Sequence, residues 1–139
     1  MSTVVVVSGI LLKNNKILLA KRSSTKKIAP GEWHIPGRHV EFSEHPKLSL
    51  EREFMEELQL KVEVTKPLAV HSFVEDSEHV IIITFLVRTK EIPKVIKFDS
   101  SETAEVTWAD ITESRQLLPK QKHDYKTIEI INDFGTLDS

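Results

Sequence analysis

Cysteine is absent from the 139 residues, which excludes a disulfide framework and any thiolate metal site. That absence suits a reducing compartment, and a cytoplasmic location is the expectation. No run of about 18 apolar residues occurs, so no membrane-spanning helix is expected. Residues 1–10 are apolar but lack a basic start, and a second strand-like run follows them. They read as core rather than as a signal peptide. Excess charge is also missing. The formal net charge is −2, which leaves no broad basic footprint for duplex nucleic acid, so a ligand must be held by a local site. Internal repeats and low-complexity linkers are lacking as well. What is present is enough apolar material for a core, 40% of the residues, in a length that fits one domain over 1–139.

Along the chain, Val4–Leu12 and Ile17–Ala20 are apolar runs about the polar Lys13-Asn14-Asn15-Lys16, the pattern of a β-hairpin. Arg22–Glu32 reads as an exposed loop and Trp33–Pro36 as a short strand. Pro46–Leu58 has helical spacing. Val62–Val74 and His79–Val87 read as strands, the second with a continuous apolar run at Val80-Ile81-Ile82-Ile83 that predicts burial on both faces. Glu105–Trp108 is a further short strand. Asp110–Leu117 and Lys122–Ile131 read as helices, the first with Asp110 as N-cap. The tail after Asn132 reads as frayed. This order predicts an α/β fold, a mixed β-sheet sandwiched between helices (α/β/α).

The chemically informative stretch runs from Trp33 to Leu60. Residues in a helix advance roughly 100° each, so Glu53, Glu56 and Glu57 fall within an arc of about 100°. Leu50, Phe54 and Leu58 form the adjoining apolar stripe, which would pack the helix on the sheet. The carboxylates then lie at the edge of the packed face. A Glu-rich helix face is ordinarily a solvated surface, yet like charges on one arc destabilise a helix by a few tenths of a kcal/mol per pair. A divalent cation would remove that cost. Oxygen-only ligands suit Mg²⁺ or Mn²⁺ rather than zinc. Glu44, just ahead of the helix, could complete the cluster, and Arg52 could fix one carboxylate.

These residues resemble the Nudix box, which is Gly, five residues, Glu, seven residues, then Arg-Glu-apolar-x-Glu-Glu-x-Gly-apolar. With Arg38 at the first position, Glu44, Arg52, Glu53, Phe54, Glu56, Glu57 and Leu60 all fall in place. Trp33-x-Ile35-Pro36-Gly37 is similar to the family's lead-in, and strand order and length fit the MutT-like fold. Three positions depart from the pattern. Arg38 and Gln59 replace the two box glycines, and Ser43 replaces a glycine often found before the first box Glu. A non-glycine residue just past a helix costs about 1 kcal/mol in the left-handed conformation, so Gln59 bears on stability rather than chemistry. Arg38 either distorts the loop or reaches substrate phosphates with its bidentate fork.

The resemblance implies hydrolysis of a nucleoside diphosphate linked to another group. It makes Glu53, Glu56 and Glu57 metal ligands, Glu44 a supporting ligand, and Arg52 the residue that orients Glu53. Glu102, six residues before Trp108, is the matching candidate for a general base beside Glu53, with Glu105 the weaker competitor. Lys21 and Arg22 match basic positions near the nucleotide. Lys26-Lys27 could fold over phosphates, although a short charge run usually does nothing. Phe73, Leu118 and Gln121 could line a base pocket. The six histidines show no metal-type spacing; His34 and His39 lie nearest the box. No Pro or Tyr stands where ADP-ribose or dinucleoside-polyphosphate members carry one. By elimination the expected substrate is a (deoxy)nucleoside triphosphate. A nucleotide sugar or ADP-ribose-type substrate, or a weakly catalytic nucleotide-binding module, is the alternative. A homodimer is possible, as in many family members.

Overall fold

A computed structural model describes residues 1–133; the rest of the tail expected to fray lies outside them. In chain order the elements are β1 (Ser2–Lys13), β2 (Lys16–Arg22), β3 (Trp33–His34), β4 (Gly37–His39), α1 (Pro46–Leu58), β5 (Glu63–Glu75), β6 (Glu78–Arg88), β7 (Thr103–Ala109), α2 (Ile111–Leu117) and α3 (His123–Asp133). The strands form one mixed sheet in the order β3-β2-β1-β6-β5, with β4 on β1 and β7 on β2. Only β1 and β6 run parallel among the described pairs. Helix α1 packs with one cluster of the core (Val7, Leu11, Leu18, Phe85, Val87), while α2 and α3 close the other (Ile10, Ile17, Leu19, Ile35). The expected sandwich is therefore the observed one. β4 was not expected, because three residues are too few for an alternating pattern to show.

Local chemistry explains the joints. Asn14 and Asn15 both have positive φ (51° and 61°), as a two-residue type I′ hairpin requires and as Asn tolerates. Asp76 and Ser77 do the same between β5 and β6 (49° and 64°). Asp110 caps α2 through a reciprocal capping box with Glu113, which satisfies two otherwise orphaned N–H groups. His45 caps α1, its Nδ1 accepting from the Lys47 N–H at 3.1 Å, and Pro46 takes the first turn, where its missing N–H does no harm. The apolar run of β6 is less buried than expected. Ile82 is enclosed, but Val80, Ile81 and Ile83 keep partial solvent contact.

The seating of α1 matters most for the site. Leu50, Phe54 and Leu58 are all buried, as their spacing predicts. A side chain on Gly9 would meet Val87 Cγ2 at 2.6 Å and Phe54 Cε2 at 2.8 Å, so glycine there lets the helix lie close to β1. The helix ends where Gln59 turns left-handed (φ 53°, ψ 37°), with N–H groups of Gln59 and Leu60 donating to Met55 and Phe54 carbonyls, each at 3.1 Å. Ser43 is left-handed too (φ 64°), whereas Arg38 lies in ordinary extended strand. Two of the three replaced glycines thus stand at genuine left-handed positions, and Arg38 does not strain its loop.

Gln59→Gly should raise stability by about 1 kcal/mol by removing left-handed strain, seen as a higher Tm; an unchanged Tm contradicts the strain argument. Asp124 accepts the Ile35 N–H at 2.9 Å. Although the residue as a whole is only partly covered, protein surrounds its carboxyl, and that burial pushes its pKa from 3.8 up to about 6. Because the folded value is raised, its stabilising contribution is full below the unfolded value and is lost as pH rises through 6. Asp124→Asn should therefore melt higher than the parent at pH 7.5, by on the order of 2 kcal/mol, with the two converging near pH 4. A gap of equal size at both pH values excludes carboxyl burial as its cause.

Candidate active site

One cleft of about 420 Å³ opens between α1, β2, β4 and the segment leading into β7, lined by Arg22, Lys26, Arg38, Glu53, Glu56, Glu57 and Glu102 among others. Helix α1 contributes three carboxylates because its buried stripe turns their arc toward the sheet edge. β4 contributes Arg38, whose backbone is fixed by pairing with Val7. A side chain on Gly37 would meet Ser8 Cβ at 3.0 Å, so glycine allows β4 to lie this near β1. The lead-in to β7 is tied to the end of β2 by the Ser23 N–H donating to the Glu102 carbonyl at 3.0 Å. That bond brings Glu102 to the cleft.

The carboxylates are crowded and unequal. Burial, reinforced by the charge of Glu57, pushes Glu53 up to about 7. Burial also pushes Glu57 up, with Asp99 and Glu102 adding repulsion. Glu57 Oε2 is enclosed without a hydrogen-bond partner, a costly state for a carboxylate oxygen. Three cations divide the remaining charge. Lys26 Nζ lies 2.6 Å from Glu102 Oε2. Arg38 lies 3.4 Å from Glu56, 3.7 Å from Glu53 and 3.3 Å from Glu41. Arg52 reaches Glu44 at 2.9 Å and Glu56 at 3.1 Å.

Several sequence-based assignments land elsewhere. Glu44 does not join the cleft lining; Arg52 holds it by Nε at 3.0 Å and a second nitrogen at 3.1 Å, a bidentate pair stronger than a lone contact. Arg52 thus orients Glu44 and Glu56, and the arginine beside Glu53 is Arg38. Neighbouring helical residues point about 100° apart, so 52 and 53 face different ways. Lys21 does not line the cleft. Ala20 and Arg22 do, and alternation along β2 sends Lys21 to the opposite face, where its Nζ lies 6.0 Å from the Trp33 ring centre. Gln121 is exposed in the α2–α3 connection and is also absent from the lining, and Leu118 is core. Phe73 stacks on His123 at 5.0 Å rather than on open space. Arg22, Arg38 and Glu102 line the cleft, together with His34 and His39. Burial lowers the His34 pKa despite its Nδ1–H donating to the Ile35 carbonyl at 2.9 Å.

Glu41 and Asp99 were missed. Glu41, three residues from Arg38, anchors both arginines, and that spacing was its one available signal. The Asp99 N–H donates to the Glu57 carbonyl at 3.2 Å, a contact with no signature in sequence.

Among the described residues, no three acidic or histidine groups have their ligating atoms gathered as if about an ion. The donor set nevertheless fits a hard divalent cation, because it is oxygen-only, crowded, and includes the unpartnered Glu57 Oε2.

The architecture has known counterparts. The MutT protein from Methanosarcina mazei Go1 superposes with a TM-score of 0.81 at 20% identity, covering 96% of this chain and 95% of that one. The E. coli ORF135 protein gives 0.78 at 24% identity, covering 96% and 91%. At these identities the likeness shows the fold alone. A protein of Buchnera aphidicola subsp. Schizaphis graminum named 8-oxo-dGTP diphosphatase is 40% identical over 57 residues, 41% of this chain and 43% of that protein. That match spans less than half of either. The NUDIX domain model matches residues 2–130. With the α/β sandwich and the Arg52-Glu53…Glu56-Glu57 run in place, the chain belongs to the NUDIX domain family. Divalent metal ions serve this family generally.

The crowding of these carboxylates costs stability when no cation is bound. Glu53→Gln should stabilise chelator-treated protein by about 1 kcal/mol, seen as a higher Tm, and should lose the further rise that added Mg²⁺ gives the parent. A lower Tm in chelator contradicts the crowding.

Proposed function

We propose that the chain is a Mg²⁺-dependent pyrophosphohydrolase that cleaves a phosphoanhydride bond of a (deoxy)nucleoside triphosphate by water attack on phosphorus. The observation that carries this reading is the enclosed, unpartnered oxygen of Glu57 beside Glu53, in a cleft whose rim carries Arg22, Lys26 and Arg38. Clustered carboxylates with one bare oxygen suit a cation, and basic groups facing them suit a phosphate chain. Glu53, Glu56 and Glu57 would hold Mg²⁺, or Mn²⁺ in its place. Bound there, the ion supplies charge neutralisation on phosphate oxygens and acidifies a water.

The chain's own groups do the rest. Arg38 and Arg22 orient phosphate oxygens, and Lys26 holds Glu102 at the cleft. Glu102 or Glu53 accepts the proton of the attacking water. Arg52 fixes Glu44 and Glu56, and Glu44 supports the ligand set from outside it. A triphosphate is favoured over a nucleotide sugar by the Buchnera relative, whose name gives its substrate as 8-oxo-dGTP. Arg38 among the carboxylates supports a second reading, a Nudix-like module that binds nucleotide with little turnover.

The test is product identity from a panel of nucleoside triphosphates, nucleotide sugars and dinucleotides with Mg²⁺. Release of pyrophosphate and a nucleoside monophosphate is expected, with kcat reduced roughly 10³-fold or more in Glu57→Gln while the variant stays folded by circular dichroism. Unchanged turnover in that variant contradicts the proposal. Tight nucleotide binding without product favours the second reading.

A further inference from the structure

Glu53, Glu56 and Glu57 do not share their counter-charges evenly. Glu56 is held from both sides, Oε1 by Arg52 and Oε2 by Arg38. Glu53 faces Arg38 at 3.7 Å. Glu57 keeps one buried oxygen with no partner at all. Arg38 therefore bridges two of the three carboxylates and leaves the third without a counter-charge from it. Its side chain is 19% exposed and that of Glu53 17%, so solvent screens this contact less than it would a surface pair. The Arg38 backbone cannot follow a moving side chain, because β4 is registered on β1 with Arg38 opposite Val7. Any rearrangement must occur along the side chain alone. A resting place exists within its reach, since Glu41 Oε1, outside the three-carboxylate set and 64% exposed, lies 3.3 Å from the same guanidinium.

From this geometry we propose that Arg38 is a tethered counter-ion which a divalent cation must displace from Glu53 and Glu56, and which then withdraws toward Glu41. This rests on the metal-binding reading above and adds to it a competitor built into the chain. Without metal, the guanidinium neutralises carboxylates that would otherwise repel one another. With metal, both positive charges cannot occupy the same oxygens, and the cation with two charges and the bare Glu57 oxygen wins. Arg38 thereby sets the metal concentration at which the site fills.

The experiment is calorimetric titration of the full chain with Mn²⁺ alone, with no nucleotide, for the parent, Arg38→Ala and Arg38→Gln. Both variants are expected to bind Mn²⁺ about fivefold more tightly than the parent, the ratio expected when one partly screened ion pair no longer opposes binding. Both should melt lower than the parent in chelator. Equal or weaker Mn²⁺ affinity in the variants overturns the role of Arg38 and leaves the metal reading standing. Absence of Mn²⁺ binding in parent and variants alike overturns both. Should the variants not fold, the parent suffices. The Arg38 side-chain ¹⁵N–¹H signals should shift on adding Mg²⁺, and signals that stay fixed through saturation contradict the exchange.

Discussion

The structure turns on repulsion among carboxylates that packing forces together. Leu50, Phe54 and Leu58 are buried against the sheet, and Gly9 lets Phe54 approach the backbone of β1 closely. Once the helix is seated, Glu53 and Glu57 have no freedom to leave the edge of the packed face. Burial and neighbouring carboxylates raise both, Glu53 to about 7. A side chain placed for stability alone would not be held so. The cost is tolerated where it prepares a site for positive charge.

Everything around the cleft responds to that negative density. Lys26, Arg38 and Arg52 each pair with acids of the cleft or its rim. Glu41, in the cleft lining, and Glu44, outside it, anchor the arginines. The result is a network in which each carboxylate of α1 differs from its neighbours. Glu53 is enclosed beside Arg38, Glu56 is shared between two guanidiniums, and Glu57 has an oxygen without a partner. Unequal environments give chemically similar groups separate tasks.

Local regularity was legible in the sequence. The i, i+4 stripe of α1, the Asn14-Asn15 hairpin and the Asp110 cap depend on near neighbours, and all three stand as expected. Glu102 was reachable through its spacing to Trp108. Contacts between side chains of distant segments were not legible. Helical periodicity cannot show that Glu44 turns to Arg52, or that Arg38 rather than Arg52 stands beside Glu53. The face of Lys21 was decidable in principle, since alternation along β2 forbids Lys21 and Arg22 from sharing a cleft. Asp99 comes from a loop whose approach to Glu57 depends on the whole sheet.

The account therefore rests on one place where positive charge must go. Anomalous diffraction from crystals of the full chain soaked in Mn²⁺ locates it directly. The account predicts a peak at ligand distance, about 2.1 Å, from oxygens of Glu53 and Glu57, with the Arg38 guanidinium drawn off toward Glu41. A fully soaked crystal with no peak among these carboxylates, and with Arg38 still bridging Glu53 and Glu56, contradicts it.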